Sequence, residues 1–296
     1  MTAEHDYERF LRARHRTAHG RRTAERWAGF LLPHLHPGMR LLDLGCGPGS
    51  ITAGLADGLA AVGVDIAPVA IESVPVAAAD AAALPFPDAR FDAVYSNALL
   101  QHVADPLAVL REARRVSRPG AVIGVGDADW GGALVHPSDP AIDRGLAVRA
   151  ALRPGGHEVR VGRELRGLLS EAGFERAEAS VTGAADGTAD AVGRVAALES
   201  SWFGAPEVVA YVAERGIADP DEMAAIAAAW DRWGEHPGAF AARFWVTALA
   251  WVPEDRAQRD ASARPAPAAA SPRTTLAAEL ANASSVEPSS SRRTVS

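Results

Sequence analysis

Lysine is absent: all 30 basic side chains of this 296-residue chain are arginines. A phosphate loop of the G-x-x-x-x-G-K-[ST] type is thereby excluded. Cysteine occurs once, as Cys46, so no internal disulfide can form and nothing points to an oxidising compartment. No run of about 18 consecutive apolar residues is present, which removes the signature of a membrane-spanning helix. The opening stretch MTAEHDYERFLRARHR is charged throughout and lacks the apolar run of a secretion signal, so a cytoplasmic location is expected. Basic excess is missing too. With 37 acids the formal charge is -7, which argues against a general nucleic-acid binder. His34 and His36 have no Cys or acid at ligand spacing, so no metal site is expected. Aromatics are scarce at 6%, yet half of them fall between Trp202 and Trp251. Trp230 and Trp233 are three apart and Phe240 and Phe244 four apart, the spacing of a helical core. The other reading is that some of these rings line an apolar pocket.

The order of elements is legible. Residues 5–32 read as helical and end at Pro33 and Pro37-Gly38. Short apolar runs bounded by turn residues then read as buried strands: 39–45, 60–65, 74–80, 91–97 and 121–129. Helices are expected at 51–59, 105–116 and 160–172, a sixth strand at 174–182 and a seventh at 244–252. Strands alternating with helices imply an α/β fold with a mostly parallel sheet covered on both faces. The division expected is a helical cap over 1–36, a main domain over 37–252 with a helical insertion at about 186–243, and a tail over 253–296. That tail has no aromatic residue and is rich in Ala, Ser, Pro and Arg. Such a composition predicts disorder, with TTLAAELANA (274–283) a transient helix at most.

The chemistry concentrates in LLDLGCGPGS (41–50), a strand running through glycines into a helix. Gly45, Gly47 and Gly49 let the backbone turn tightly and approach a ligand closely. The spacing is G-x-G-x-G, so the dinucleotide pattern G-x-G-x-x-G fails at its last position. Asp43, two residues before the first glycine, would repel a pyrophosphate and favour an ammonium group. Asp65 ends the second strand, where a carboxylate is placed to accept both ribose hydroxyls. Asp80 ends the third, where it can accept from an adenine amine beside the Ala81 N–H. Asn97 ends the fourth. Polar groups at four successive strand ends lie on the side of an open α/β sheet where ligands bind. A ligand cationic at one end and nucleoside at the other suits them.

LLDLGCGPG, GVDIAP, ADAAALPFPDARFDAVYSNALLQHVADP and RPGAVIGVGD together resemble the successive motifs of class I S-adenosylmethionine-dependent methyltransferases. The branch containing the ubiquinone/menaquinone C-methyltransferases is the most similar. The resemblance covers roughly residues 20–175 and implies a seven-stranded Rossmann-like sheet of order 3-2-1-4-5-7-6, the last strand antiparallel. It implies S-adenosyl-L-methionine as cofactor, with Gly45, Cys46, Gly47 and Gly49 facing its methionine part and Asp43 supporting the loop or the ammonium. Asp65 and Ile66 would hold the ribose side, Asp80 and Ala81 the adenine edge, and Asn97 the methionine or sulfonium side. One departure is the short link, Ala67 to Val74, between the second and third strands.

For Cys46, loop packing is the reading, since no activating base lies near it in sequence. His102 could remove a proton from an acceptor, or could simply open the following helix. Asp127, Asp129 and Trp130 follow the fifth strand, where they could orient an acceptor or form a solvated loop. His5, His15 and His19 with Arg12, Arg14, Arg16, Arg21 and Arg22 make a basic N-terminal helix. Its reading is a solvated face, or a lid over the cofactor carboxylate with Arg22 as the candidate. The expected function is methyl transfer to an O, N or C nucleophile of a small, apolar acceptor. The alternatives are a cofactor-binding protein of the same fold without turnover, or an NAD(P)-dependent oxidoreductase.

Overall fold

The computed structural model describes residues 3–7, 9–11, 20, 22–72, 74–152 and 160–254. Arg12, Arg14, His15, Arg16, His19 and Arg21, and the expected tail from residue 255 onward, lie outside the described residues.

Seven strands form one sheet: β1 (Arg40–Leu44), β2 (Ala60–Asp65), β3 (Val76–Ala78), β4 (Phe91–Asn97), β5 (Ser117–His136), β6 (Glu175–Asp186) and β7 (Phe240–Trp251), in the order β3-β2-β1-β4-β5-β7-β6. The first five are parallel, and β7 runs antiparallel to both β5 and β6. β1, β2 and β4 are almost continuously buried because helices or loops cover both faces. The C-terminal ends of these parallel strands share one rim.

The N-terminal segment departs from a continuous helix over 5–32. Residues 3–7 and 9–11 are helical, as is the short α1 (Ala24–Trp27), and a 3-10 turn follows at Leu32–His34. Thr23 caps α1 by accepting from the Arg26 N–H, and the Tyr95 hydroxyl donates to the Trp27 carbonyl at 2.9 Å. The second tie fastens the segment to β4. Ala24, Ala28 and Leu31 belong to the apolar cluster on that face of the sheet, with Leu41, Tyr95 and Val122.

α2 (Ser50–Leu55) follows the glycine loop and is shorter than expected. α3 (Pro106–Val116) starts at an Asp105 cap and buries Pro106, Val109, Leu110, Ala113 and Val116, one stripe at helical spacing. With α5 (Val161–Glu171) it covers the opposite face. α4 (Pro140–Ala151) has no counterpart in the sequence reading. Together with α6 (Ala189–Phe203), α7 (Pro206–Glu214) and α8 (Pro220–Glu235) it builds a separate apolar cluster containing Trp202, Trp230 and Trp233. Those rings are core. Phe240 and Phe244, read at helical spacing, lie instead on β7. β5 overshoots the expected 121–129 by continuing to His136 along β7. The Trp233 indole N–H donates to the His136 carbonyl at 2.9 Å, pinning the helical cluster to that extension.

Candidate functional site

The glycine loop leaves β1 at the shared rim. Gly49 sits at φ 77° just before α2, and a Cβ there would lie 2.2 Å from the Ile71 side chain. Both the left-handed backbone and the close approach require glycine. Cys46 packs over β2, where a Cβ on Gly63 would be 2.8 Å from its Sγ. Burial pushes the thiol pKa up, and Asp43 and Asp65 add to the shift. Cys46 is therefore a packing residue and not a ready thiolate.

Asp65 fastens the loop. Its Oδ2 accepts from the Gly47 N–H at 2.9 Å and its Oδ1 from the Ala67 N–H at 3.0 Å. Each carboxylate oxygen retains a lone pair beyond these bonds. Asp43 is 3% exposed and accepts from the Thr52 hydroxyl at 2.5 Å. Desolvation raises its pKa from 3.8 to about 7; the Thr52 bond opposes that rise, and the Asp65 charge adds to it. A cation arriving beside Asp43 would favour its ionised form.

Tyr95 and Asn97 share one face of β4, and with Asp43, Gly47, Ile51 and Arg22 they line a solvent-open cleft of about 330 Å³. The Asn97 side chain is 8% exposed, and neither its amide nitrogen nor its oxygen makes a hydrogen bond among the described residues. Buried polar atoms in native folds are normally satisfied, so this amide, which also lines the cleft, is a candidate ligand contact. The Arg22 guanidinium lies 4.3 Å from the Trp27 ring centre and 5.4 Å from that of Trp245, and these two rings meet edge-to-face at 4.9 Å. Burial lowers the Arg22 pKa, while electrostatic interaction with Tyr95 and Asp127 opposes that fall.

Other expected residues sit differently. Ile66 is 81% exposed beside the loop. β3 ends at Ala78, so Asp80 lies two residues beyond it, exposed, with Oδ1 accepting from the Ala82 N–H at 2.9 Å; Ala81 is buried. Asp127 is fully buried and accepts from the Gln101 N–H at 3.2 Å and from the Ala128 N–H at 2.9 Å. Trp130 donates to the Gln101 side-chain oxygen at 3.0 Å. Asp129 accepts from the Arg163 Nε at 2.6 Å and Nη2 at 2.7 Å. These two acids thus serve the protein's own framework and not a solvated loop. His102 is exposed on the 3-10 turn Leu100–His102 and does not line the cleft. Among the described residues, no cluster of three metal-ligating side chains occurs and no helix is long and apolar enough to cross a membrane. Sequence reasoning missed Trp245, whose ring stands beside Arg22 and Trp27 behind the cleft. Its one signal was Gly126, which has no side chain where the indole packs on β5.

The pattern that defines the methyltransferase domain family matches residues 42–125, the stretch from β1 into the first half of β5. Residues 42–125 thus carry a methyltransferase domain. Relatives of this methyltransferase domain include an uncharacterised methyltransferase of Schizosaccharomyces pombe, 30% identical over 53% of this chain and 64% of its own. Another is the 27-O-demethylrifamycin SV methyltransferase of Amycolatopsis mediterranei, 38% identical over 36% of this chain and 44% of its own. The 2-methyl-6-phytyl-1,4-hydroquinone methyltransferase of a Synechocystis strain is 35% identical over 35% of each chain. This chain spans about half the length of the curated relatives it matches. A solved Bacillus halodurans protein, presented as a candidate methyltransferase, shares the fold with TM-score 0.50 at 18% identity, over 76% of this chain and 96% of that one.

S-adenosylmethionine is the cofactor of such a domain. The cleft fits it: a buried carboxylate for the cationic end, an unsatisfied amide beside it and a glycine loop closed by a second carboxylate.

Proposed function

We propose that this protein is a methyltransferase that moves the methyl group of S-adenosylmethionine onto a small, apolar acceptor. The observation that carries the reading is the buried Asp43 facing the same cleft as the unpartnered Asn97 amide. When bound, the cofactor supplies a methyl group already activated as a sulfonium. The chain's own work is then orientation and exclusion of water.

In this reading the Gly45–Gly49 loop, with Cys46 packed behind it, lies along the methionine part, and Asp43 balances its positive charge. Arg22, backed by Trp27, pairs with the carboxylate. Asp65 turns its remaining lone pairs to the ribose hydroxyls, two charge-assisted bonds of roughly 1.5–3 kcal/mol each. Ile66, exposed beside the loop, gives the adenine an apolar face, and Asp80 with Ala81 takes its edge. Asn97 closes the sulfonium side. His102 does not line the cleft, so it serves as base only for a protonated acceptor that extends out to it. The Amycolatopsis and Synechocystis relatives, named for a rifamycin precursor and a phytyl hydroquinone, support a hydrophobic small molecule as acceptor and offer nothing toward nucleic acid. A cytoplasmic setting goes with this reading.

Calorimetry with S-adenosylmethionine and with NADH tests it. S-adenosylmethionine should bind and Asp65→Ala should weaken that binding by about tenfold or more with the fold intact. Tight NADH binding with none for S-adenosylmethionine would refute the proposal.

A further inference from the structure

β6 closes one edge of the sheet, with β7 as its single strand neighbour among the described residues. A bulge falls between Glu175 and Glu178, where the Ala177 carbonyl accepts from the Arg166 Nε at 3.1 Å. From Glu178 to Asp186 the register with β7 then runs without interruption. Every residue over 178–185 is exposed, whereas a strand lying on a core buries alternate side chains. The usual guards of a free edge are missing there: ASVTGAA (179–185) has no charge, no proline and no bulge. Val181, Gly183 and Ala185 share one face with Phe244 and Ala242 of β7 and Leu134 of β5. Val181 is 64% exposed and Leu134 54%, so this face is apolar and wet.

We propose that β6 is the interface of a homodimer, pairing antiparallel with β6 of a second copy about a two-fold axis at Val181 and joining the two sheets into one. Such an axis, perpendicular to the sheet, keeps each side chain on its own face. Val181 then meets the partner's Val181, Ser180 the partner's Thr182 and Ala179 the partner's Gly183. β-Branched pairs and hydroxyl pairs of this kind are favourable across antiparallel strands. Charge selects the same register. Arg176 comes level with the partner's Asp186 at each end of the paired strands, while an axis at Thr182 would set Glu178 against the partner's Asp186. The Phe244 ring lies beside Gly183, 3.6 Å from where a Cβ would stand, and so covers the bare position opposite the partner's Ala179. One strand supplies both halves of each pair, which is what a second copy offers and an unrelated strand does not. Roughly six to eight backbone hydrogen bonds would form across the axis. The cleft is lined from β1 and β4, with β5 and β7 between it and β6, so both clefts stay open. The inference does not depend on the methyltransferase reading.

Sedimentation equilibrium of the full chain, from micromolar to submillimolar concentration, is the first test. The expected species is a dimer of the 30.9 kDa chain. Val181→Lys places two like charges opposite each other and should weaken the dimer by about tenfold or more, with thermal unfolding and S-adenosylmethionine affinity unchanged. Val181→Cys should form a disulfide between subunits under mild oxidation, since residues directly opposite lie within bridging distance. Ser180→Cys and Thr182→Cys, each diagonal to its own copy, should cross-link far more slowly. Cys46 is buried and does not compete. A wild-type monomer over the whole range would overturn the proposal, whether residues 255–296 or another protein takes the edge. A dimer that Val181→Lys leaves intact would place the interface elsewhere and overturn it equally. Faster cross-linking of Ser180→Cys or Thr182→Cys than of Val181→Cys would refute the register.

Discussion

Replacing Asp43 by Asn takes away a charge that burial makes costly while leaving the Thr52 hydroxyl an oxygen to donate to. In the folded chain the Asp43 pKa is raised from 3.8 to about 7. That displacement corresponds to about 4 kcal/mol between the two protonation states. The folded state holds a proton that the unfolded chain has already released across this window. Stability from this group is therefore intact below about pH 4, falls as pH rises, and is fully lost above about pH 7. Asn imitates the protonated acid and carries no such loss. The variant should match the wild type near pH 4 and exceed it at pH 8 by up to about 4 kcal/mol, roughly 8–16 °C in Tm for a domain of this size. Cofactor binding should move the opposite way. A cationic ligand draws the proton off Asp43, so wild-type binding near pH 7 should release a proton, seen as a dependence of the calorimetric heat on buffer ionisation enthalpy. The Asn variant should bind about tenfold more weakly at pH 8 and release none. Thermal unfolding curves that stay parallel for the two proteins from about pH 4.5 to 8 would refute the argument.

Further outcomes follow from single contacts. Gly49→Ala forces an alanine into φ 77° and against Ile71, so it should cost about 1–3 kcal/mol in denaturant unfolding and abolish measurable cofactor binding. Tyr95→Phe removes the bond to the Trp27 carbonyl and should cost about 1 kcal/mol, with cofactor affinity falling several-fold as the Arg22–Trp27 wall loosens. Trp233→Phe loses the bond to the His136 carbonyl and leaves a gap where the second indole ring packed, so urea unfolding should show a loss of about 2–3 kcal/mol with cofactor binding unchanged.

The sheet was legible where a strand is a continuous apolar run between turn residues. Ala60–Asp65 and Phe91–Asn97 match their expected limits residue for residue, because both are buried on two faces. The outer half of β5 was not. Gly131 and Gly132 interrupt it, its side chains are only partly buried, and its strand character comes from pairing with β7 more than a hundred residues later. α4 was missed because PAIDRGLAVRAA, with Gly145 in its middle, shows no clear apolar stripe. At the site, the loop glycines and Asp43, Asp65 and Asn97 were visible since each stands at a strand end in one short stretch of chain. Trp245 was not, because which face it takes is set by the antiparallel register with Ala128. Asp129 reads from sequence as available for a ligand, but Arg163, 34 residues away, occupies it.

The N-terminal segment belongs to two cores at once. Tyr7 stacks on Tyr211 at 4.1 Å and is buried with Phe10 and Leu11 against the helical cluster, while Ala24, Ala28 and Leu31 are buried against the sheet. Its detachment would uncover apolar surface on both and remove Arg22 and Trp27 from the cleft in a single event. Opening of the cleft and exposure of the helical cluster should therefore behave as one cooperative unit in amide hydrogen exchange, with the amides of α1 and of α7 slowing together when cofactor is added.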